Sequence, residues 1–301
     1  MNNNLKSFLF TISAVLLWST AATAFKITLQ GMNNLQLLFY SCIISSIVLF
    51  ILILINSPKE LKLTFNKINI KRNILLGITN PFLFYLVLFK AYYLLPAQEA
   101  MPLNYTWPIT ITLFSVLFLG SKVNFKIILG MLLAFAGVII ISTRGDLFGL
   151  KFHNLLGVIL AVGSSFVWAA YWTLNLKDKR SGLSKLFSAF FYGTIFITIY
   201  VLIFDSLLLT NYNYLFGAVY IGLFEMSITF FLWLKGLTLS TNKAKTATLV
   251  FLSPFFSMLL IAVILNEKIL LSSVLGLILI VSGIVFQHIS YNKGKIKFSL
   301  E

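Results

Sequence analysis

The sequence has few of the residues on which soluble catalysts depend. Among 301 residues there are one cysteine, two histidines and eight acidic residues, and only 10% of all residues are charged. Soluble domains carry roughly 25% charged residues. A lone Cys42 permits no intrachain disulfide and argues against a cysteine-based metal site. A water-soluble fold is therefore disfavoured, and we expect no cofactor and no metal centre.

Apolar residues dominate instead. They make up 59% of the chain and recur in runs of about 20 residues, the length that a helix needs to cross a bilayer core of roughly 30 Å. We predict an all-α integral membrane protein with no sizeable soluble domain. Its ten transmembrane helices are expected at approximately 7–28, 35–55, 73–93, 98–119, 123–142, 154–175, 185–205, 213–234, 246–265 and 270–290.

The basic residues predict the orientation of the chain. A net charge of +15 would suit a nucleic-acid-binding protein if the charges shared a face, but they lie in short segments between apolar runs. With the N-terminus inside, 18 of the 23 Lys and Arg residues are cytoplasmic and only Lys26, Lys90, Arg144, Lys151 and Lys268 face outward. The positive-inside rule then predicts that both termini are cytoplasmic. We expect the lipid bilayer as a partner and no nucleic acid.

The chain repeats itself at a nearly constant spacing. Trp18 and Trp168 are 150 residues apart. Further pairs at 145 or 146 are Gly77 with Gly222, Lys90 with Lys235, Lys122 with Lys268, Gly130 with Gly276, and Gly137 with Gly283. Five helices per half is an odd number, so the second half must enter the membrane in the opposite sense. We predict two inverted repeats, 1–145 and 146–301, with a substrate site near the midplane between them.

Several short motifs resemble those of one family. The motifs Leu17-Trp18-Ser19-Thr20, Glu99-Ala100, Ser253-Pro254 and Asn266-Glu267-Lys268 look like those of the EamA type of the drug/metabolite transporter superfamily. The segments 104–108 and 166–171 are most similar to those of bacterial aromatic amino acid exporters. The resemblance implies a bacterial inner-membrane protein with a central cavity. It also implies that the first, third, fourth, sixth, eighth and ninth helices line this cavity, with the fifth and tenth peripheral.

Two acids are candidates for proton coupling. Glu225 is expected about 18 Å into the eighth helix, where a carboxylate costs at least about 2.5–3.5 kcal/mol unless it faces a cavity, finds a partner or takes up a proton. The alternative is a protonated acid hydrogen-bonded to a neighbouring Ser or Thr. Glu99 begins the fourth helix, although the helix dipole alone explains a carboxylate there. Asn80, followed by Pro81, is the repeat counterpart of Glu225.

Aromatic and polar residues at mid-depth are candidates for substrate binding. Pro102 and Pro108 should bend the fourth helix, and Trp107 between them is expected about 14 Å into the membrane, far from the interfacial aromatic belt. Packing between helices is the alternative role for such residues, and we favour it for Trp172. The predicted substrate-binding residues are Trp18, Asn80, Tyr85, Asn104, Tyr105, Trp107, Trp168 and Tyr171.

Small residues share one face on each of two helices. Gly130, Ala134 and Gly137 do so in the fifth helix, as Gly276 and Gly283 do in the tenth. Such faces allow close helix packing. They predict a contact either within the monomer or between the subunits of a homodimer.

These observations favour a transporter over an enzyme or a channel. An embedded enzyme would need clustered acids, nucleophiles or metal ligands, and a channel is usually marked by rings of like charge or carbonyl filters. We expect a non-enzymatic protein that exports aromatic or large apolar amino acids, or related small metabolites, by alternating access. The alternative is uptake or exchange of another small solute, such as a cationic or nucleoside-like one.

Overall fold

The computed structural model describes residues 2–119, 125–147, 154–176 and 178–293, and within these ranges the chain is helical without a β-strand. In chain order the α-helices are α1 (Asn3–Thr28), α2 (Asn34–Asn56), α3 (Leu61–Phe65), α4 (Lys67–Gly77), α5 (Phe84–Leu94), α6 (Ala97–Asn104), α7 (Trp107–Leu119), α8 (Phe125–Ser142), α9 (Leu155–Leu176), α10 (Gly182–Phe204), α11 (Leu215–Tyr220), α12 (Thr229–Leu239), α13 (Lys243–Ala247), α14 (Ser253–Ile264) and α15 (Leu271–Lys293).

Six stretches are long and apolar enough to cross a bilayer, and each coincides with a predicted span. They are Asn3–Thr28, Asn34–Asn56, Lys67–Leu94, Leu155–Asn175, Gly182–Phe204 and Tyr212–Leu239. Shorter apolar helices cover Ile128–Ser142, Thr248–Ile264 and Leu271–Phe286. The protein is thus an all-helical, multi-pass membrane protein. The count of ten crossings stays a prediction, and the start of the fifth predicted span, 123–124, lies outside the described residues.

The fourth predicted span is broken near its middle. Helix α6 ends at Asn104, and α7 begins at Trp107 after a two-residue break, Tyr105–Thr106. Pro102 lies inside α6 and Pro108 in the first turn of α7. Proline has no amide hydrogen to donate and crowds the preceding turn, so the predicted bend is confirmed.

The third and eighth predicted spans each contain a wide, π-helical turn. The turn Ile78–Leu83 joins α4 to α5, and its backbone leaves the helical conformation at Asn80. The turn Ile221–Ile228 joins α11 to α12. Such turns often occur at functional sites, and these two lie where Asn80 and Glu225 were predicted at mid-depth.

Side chains stabilise the second wide turn. The Ser227 hydroxyl donates a hydrogen bond to the Gly222 carbonyl, and the Thr229 hydroxyl donates one to the Phe224 carbonyl. Both bonds span five residues. Backbone carbonyls in a membrane have no water to bind, so these hydroxyls satisfy groups that a regular helix would pair internally.

The main helix contacts join the first part of the chain to the second. Helix α1 packs against α12 and α14, α2 against α10, α9 against α5 and α7, and α8 against α15. Every pair combines a helix before residue 145 with one after it. The space between the two sets of helices is therefore at the centre of the molecule.

The predicted small-residue faces meet inside the monomer. A Cβ added to Gly137 would lie 2.6 Å from the Gly276 carbonyl oxygen, and one added to Gly283 would overlap the Gly130 carbonyl oxygen. Helices α8 and α15 therefore approach until their backbones touch. Of the two roles predicted for this surface, the structure shows packing within one chain.

Candidate functional site

A central cavity of about 140 Å³ lies between the two sets of helices. Its walls come from α1, α5, α6, the start of α7, α9, the 221–228 turn, α12, the 3₁₀ turn Thr248–Leu252, and α14. These elements belong to the first, third, fourth, sixth, eighth and ninth predicted spans. They are the set that the family resemblance implied, and within the described ranges α8 and α15 supply no lining residue.

The cavity brings together most of the residues predicted to act in transport. Three of them lie outside it, namely Asn80, Tyr171 and Glu99. Those that line it are Trp18, Tyr85, Asn104, Tyr105, Trp107, Trp168 and Glu225.

All five tryptophans of the chain line this cavity. The ring of Phe230 lies between two of them, with its centroid 5.3 Å from that of Trp18 and 6.0 Å from that of Trp168. Trp233 lies 5.3 Å from Trp18, and Trp172 lies 5.9 Å from Trp168. Aromatic pairs at these separations stabilise one another, so the wall is a connected set of rings contributed by both parts of the chain.

Glu225 places a carboxyl group in this aromatic wall. The Tyr85 hydroxyl donates a hydrogen bond to its Oε1 at 3.2 Å. Its Oε2 is buried and accepts no hydrogen bond from any described residue. A buried polar atom without a partner costs free energy. A hydrogen bond from a ligand to this oxygen, or its protonation, would remove that cost.

The break in the fourth span positions the other polar side chains. Asn104 donates from Nδ2 to the Ser164 hydroxyl at 2.8 Å. Tyr105 donates to the Val250 carbonyl at 2.5 Å. Because Val250 lies in the 3₁₀ turn before α14, this bond joins the irregular part of the fourth span to that of the ninth.

The three remaining candidates occupy other positions. Asn80 is fully buried beside the cavity, in the wide turn of the third span. Tyr171 packs against Trp168 with ring centroids 5.5 Å apart. Glu99 lies in the first turn of α6 and accepts a hydrogen bond from Arg144 Nε at 2.7 Å.

Some lining residues were not predicted. Trp172 was assigned to packing, because helical spacing alone does not separate packing from ligand contact. Phe230 follows Glu225 by five residues, a spacing that puts two side chains on different faces of a regular helix. Only the wide turn brings both to the cavity, and no periodicity rule would have found it. Ser257 follows the Ser253-Pro254 motif by one turn of α14 and was missed for lack of a signal.

A second polar cluster lies in the loop before α10. Arg180 donates to Asp178 Oδ2 at 2.6 Å and to Asn73 Oδ1 at 2.6 Å, and Arg72 lies 3.7 Å from Asp178. Burial raises the pKa of Asp178, but the hydrogen bonds from Arg180 and the positive charges of Arg180 and Arg72 together more than offset this effect, so that its pKa lies below the usual value. The cluster joins this loop to α4.

Comparison with known proteins identifies relatives. The uncharacterized transporter YvbV of Bacillus subtilis is 29% identical over 197 residues, 63% of this chain and 62% of its own length. The aromatic amino acid exporter YddG of Escherichia coli is 36% identical over 92 residues, 28% of this chain and 31% of its own. This chain therefore matches less than two thirds of either relative.

A solved crystal structure that aligns with this chain has the same fold. It aligns with 96% of this chain and 99% of its own, with a TM-score of 0.67 and 21% sequence identity. The sequence profile of the EamA-like transporter family matches residues 5–143 and again residues 155–287. The two matches cover most of the chain, and the protein therefore belongs to the EamA-like transporter family.

Proposed function

We propose that this protein exports amino acids with aromatic or large apolar side chains, or closely related metabolites, by alternating access. The observation that carries the proposal is the central cavity, where all five tryptophans surround one carboxyl group. Ligand pockets combine apolar walls with a few placed polar groups. Indole and phenyl rings suit the apolar part of such substrates, and Glu225 and Asn104 are available for their polar part.

Two further observations support this substrate class. A 92-residue segment of the chain is 36% identical in sequence to a segment of an aromatic amino acid exporter. The cavity volume of about 140 Å³ is below the roughly 300–1,000 Å³ of pockets for drug-sized ligands. Both favour a small metabolite.

The proposed architecture is ten crossings in two inverted five-helix repeats, 1–145 and 146–301. In its favour, the wide turns at Ile78–Leu83 and Ile221–Ile228 are related by nearly the spacing of the sequence repeat. The fourth and ninth predicted spans are both interrupted as well. Inverted repeats bind substrate near the midplane between their broken helices, and in this chain the four interrupted spans all contribute lining residues to the cavity.

The proposed location is the bacterial inner membrane, with both termini in the cytoplasm. The distribution of basic residues is the main argument. The charged clusters agree with it: Arg144, predicted outside, pairs with Glu99 at one end, while Arg72 and Arg180, predicted inside, share Asp178 at the other.

Efflux from preloaded proteoliposomes tests the substrate class. Vesicles would contain labelled tryptophan, phenylalanine, leucine, lysine, choline or uridine, and loss of label would be compared with protein-free vesicles. We expect the fastest protein-dependent efflux for tryptophan and phenylalanine. The proposal would be overturned if the protein released uridine but none of the amino acids.

A cationic solute is the second candidate. Glu225 has no cationic partner among the described residues, and tryptophan faces attract cations by about 0.5–2 kcal/mol per good contact. The same panel separates the two candidates, since choline efflux faster than phenylalanine efflux would favour the cationic class.

A further inference from the structure

Helix α6 is held at its first turn by the connection between α14 and α15. The Glu267 carboxylate accepts hydrogen bonds from the backbone amides of Ala97 at 2.9 Å and Gln98 at 3.2 Å. These amides have no partner within the helix, since the first turn of any helix leaves its N–H groups free. Glu267 thus caps a helix that lies 170 residues away in the chain.

The Gln98 side chain makes the same connection from the other direction. Its Nε2 donates to the Lys268 carbonyl at 3.0 Å, and its Oε1 accepts from the Leu270 amide at 2.8 Å and from the Ser273 hydroxyl at 3.2 Å. Gln98 is 5% exposed. Together with Glu267 it makes five hydrogen bonds, four between α6 and the α14–α15 connection and one from Ser273 in the first turn of α15.

The local sequence explains why Glu267 reaches α6. Helix α14 ends at Ile264, and Asn266 then adopts a left-handed conformation with φ of 52°. Asparagine tolerates this conformation better than most residues. The chain therefore turns sharply at Asn266 and directs the next side chain back toward the start of α6.

Helix α6 also has a boundary at each end. Pro96 precedes it, and the Tyr105–Thr106 break follows it. The same helix carries Asn104 of the cavity wall. Helix α6 is also held to other helices of the first part of the chain. Arg144 pairs with Glu99 of α6, and Lys26 donates hydrogen bonds to the Tyr92 and Leu95 carbonyls just before α6.

We propose that Glu267 and Gln98 form a latch that closes the outer end of the cavity. This inference rests on the proposed alternating-access function. The latch fastens α6, which belongs to the first half, to the second half, and alternating access requires the two halves to move against each other. When the five bonds separate, α6 moves with Lys26, Glu99 and Arg144, and the cavity opens at that end. Glu267 and Gln98 are positioning residues that need not touch the substrate.

Accessibility of a cavity cysteine tests the latch without any substrate. Cys42→Ser removes the single native thiol, and Ala21→Cys places one on the cavity wall. An impermeant thiol reagent is applied to intact cells. We expect the double variant Glu267→Ala/Gln98→Ala to raise the labelling rate several-fold. The single variant Glu267→Asp keeps a carboxylate and should label as slowly as the parent protein.

The matched control lies at the other end of the molecule. Asp178→Asn removes the acid of the second cluster and should leave labelling from outside unchanged. Unchanged labelling in the latch variant, both in intact cells and in inside-out vesicles, would overturn the proposal. A rise equal to that of Asp178→Asn would also overturn it, because the effect would then be general loosening.

A reversible cross-link keeps the test independent of folding losses. Gln98→Cys and Ser273→Cys, introduced with Cys42→Ser, would be joined by a short bifunctional thiol reagent with a reducible linker. We expect cross-linking to abolish phenylalanine efflux while added phenylalanine still changes the protein's tryptophan fluorescence, and a reductant to restore efflux. Full efflux from the cross-linked protein would contradict the latch and leave the proposed substrate class standing.

Discussion

At the scale of single residues, Glu225 is the only acidic or basic side chain among the described residues that line the cavity. Its depth in the membrane was predicted from the sequence, and the structure adds the Tyr85 hydroxyl as a hydrogen-bond donor to it. Glu99 was predicted alongside it, but its position near Arg144 depends on the packing of α6 against α8, to which sequence spacing gives no access.

We predict that Glu225→Gln flattens the pH dependence of efflux. A glutamine keeps the size of the side chain and an acceptor for Tyr85 but has no proton to exchange. Efflux would be measured in proteoliposomes between pH 5.5 and 8.5, with Glu225→Asp as the control that keeps a carboxyl group. An unchanged pH profile in Glu225→Gln would show that this residue is structural.

A second prediction concerns stability and Asp178. Its pKa is lower in the folded protein than in the unfolded chain, so its stabilising contribution is present above the unfolded pKa of about 3.9 and is lost as the pH falls through the folded value. Asp178→Asn should lower the free energy of unfolding at pH 7 by up to about 3–5 kcal/mol. The Tm at pH 7 should fall accordingly. The Tm difference should shrink below about pH 4.

The control for this prediction is Asp205→Asn. The Asp205 carboxylate accepts a hydrogen bond from the adjacent Ser206 amide and forms no ion pair with a described residue. Its replacement should change the Tm little at either pH. Equal losses in the two variants at pH 7 would mean that the pairing of Asp178 with Arg180 contributes no net stability.

At the scale of helices, regular features were predictable and irregular ones were not. Prolines predicted the bend in the fourth span, and apolar length predicted the six long spans. The wide turn at Ile221–Ile228 carries no proline, and it shifts the helical phase so that Phe230 faces the cavity. Its position depends on contacts with α2, including the bond from Ser45 to the Met226 carbonyl, which only the fold creates.

The contact between α8 and α15 leads to a third prediction. An added methyl group at Gly137 would meet the Gly276 carbonyl oxygen at 2.6 Å, and backbone atoms have little room to shift. Gly137→Ala should therefore destabilise the protein by about 1–3 kcal/mol. The Tm of the detergent-solubilised protein measures the effect.

Gly163→Ala is the matched control. Gly163 lies in α9, and nothing lies within 4 Å of a Cβ added there. Because alanine has the higher helix propensity, the free energy of unfolding should stay the same or rise by roughly 0.5–1 kcal/mol. The Tm should then be unchanged or slightly higher. Similar behaviour of the two variants would contradict the close backbone contact.

At the scale of the whole molecule, the charge pattern predicts the topology. In a Cys42→Ser background, single cysteines at Asn3 and Ser299 should be shielded from an impermeant reagent in intact cells, whereas one at Gly149 should react. Positions 149 and 299 lie outside the described residues. Labelling at either terminus would contradict the proposed orientation, and labelling after detergent permeabilisation verifies that each thiol is reactive.

The general shape of the site was also predictable at this scale. Repeat spacing and family resemblance together located a cavity between the halves and named seven of its lining residues. The contributions of Trp233 and Ser257 were not predictable, because they depend on how α12 and α14 pack against α1. Asn80 and Tyr171 were predicted to line the cavity, but the 78–83 turn packs against α9 and α10, and neither side chain lies in the lining.

The central claim is that one substrate touches the tryptophans of both halves, and a double-mutant cycle tests it most directly. Efflux of phenylalanine would be measured for Trp107→Ala, Trp168→Ala and the double variant at equal membrane abundance. Phe216→Ala, a change at a side chain that is 80% exposed, is the control. We predict that each single variant slows efflux and that the double variant slows it by less than the product of the two effects. Normal efflux in both single variants would contradict the account.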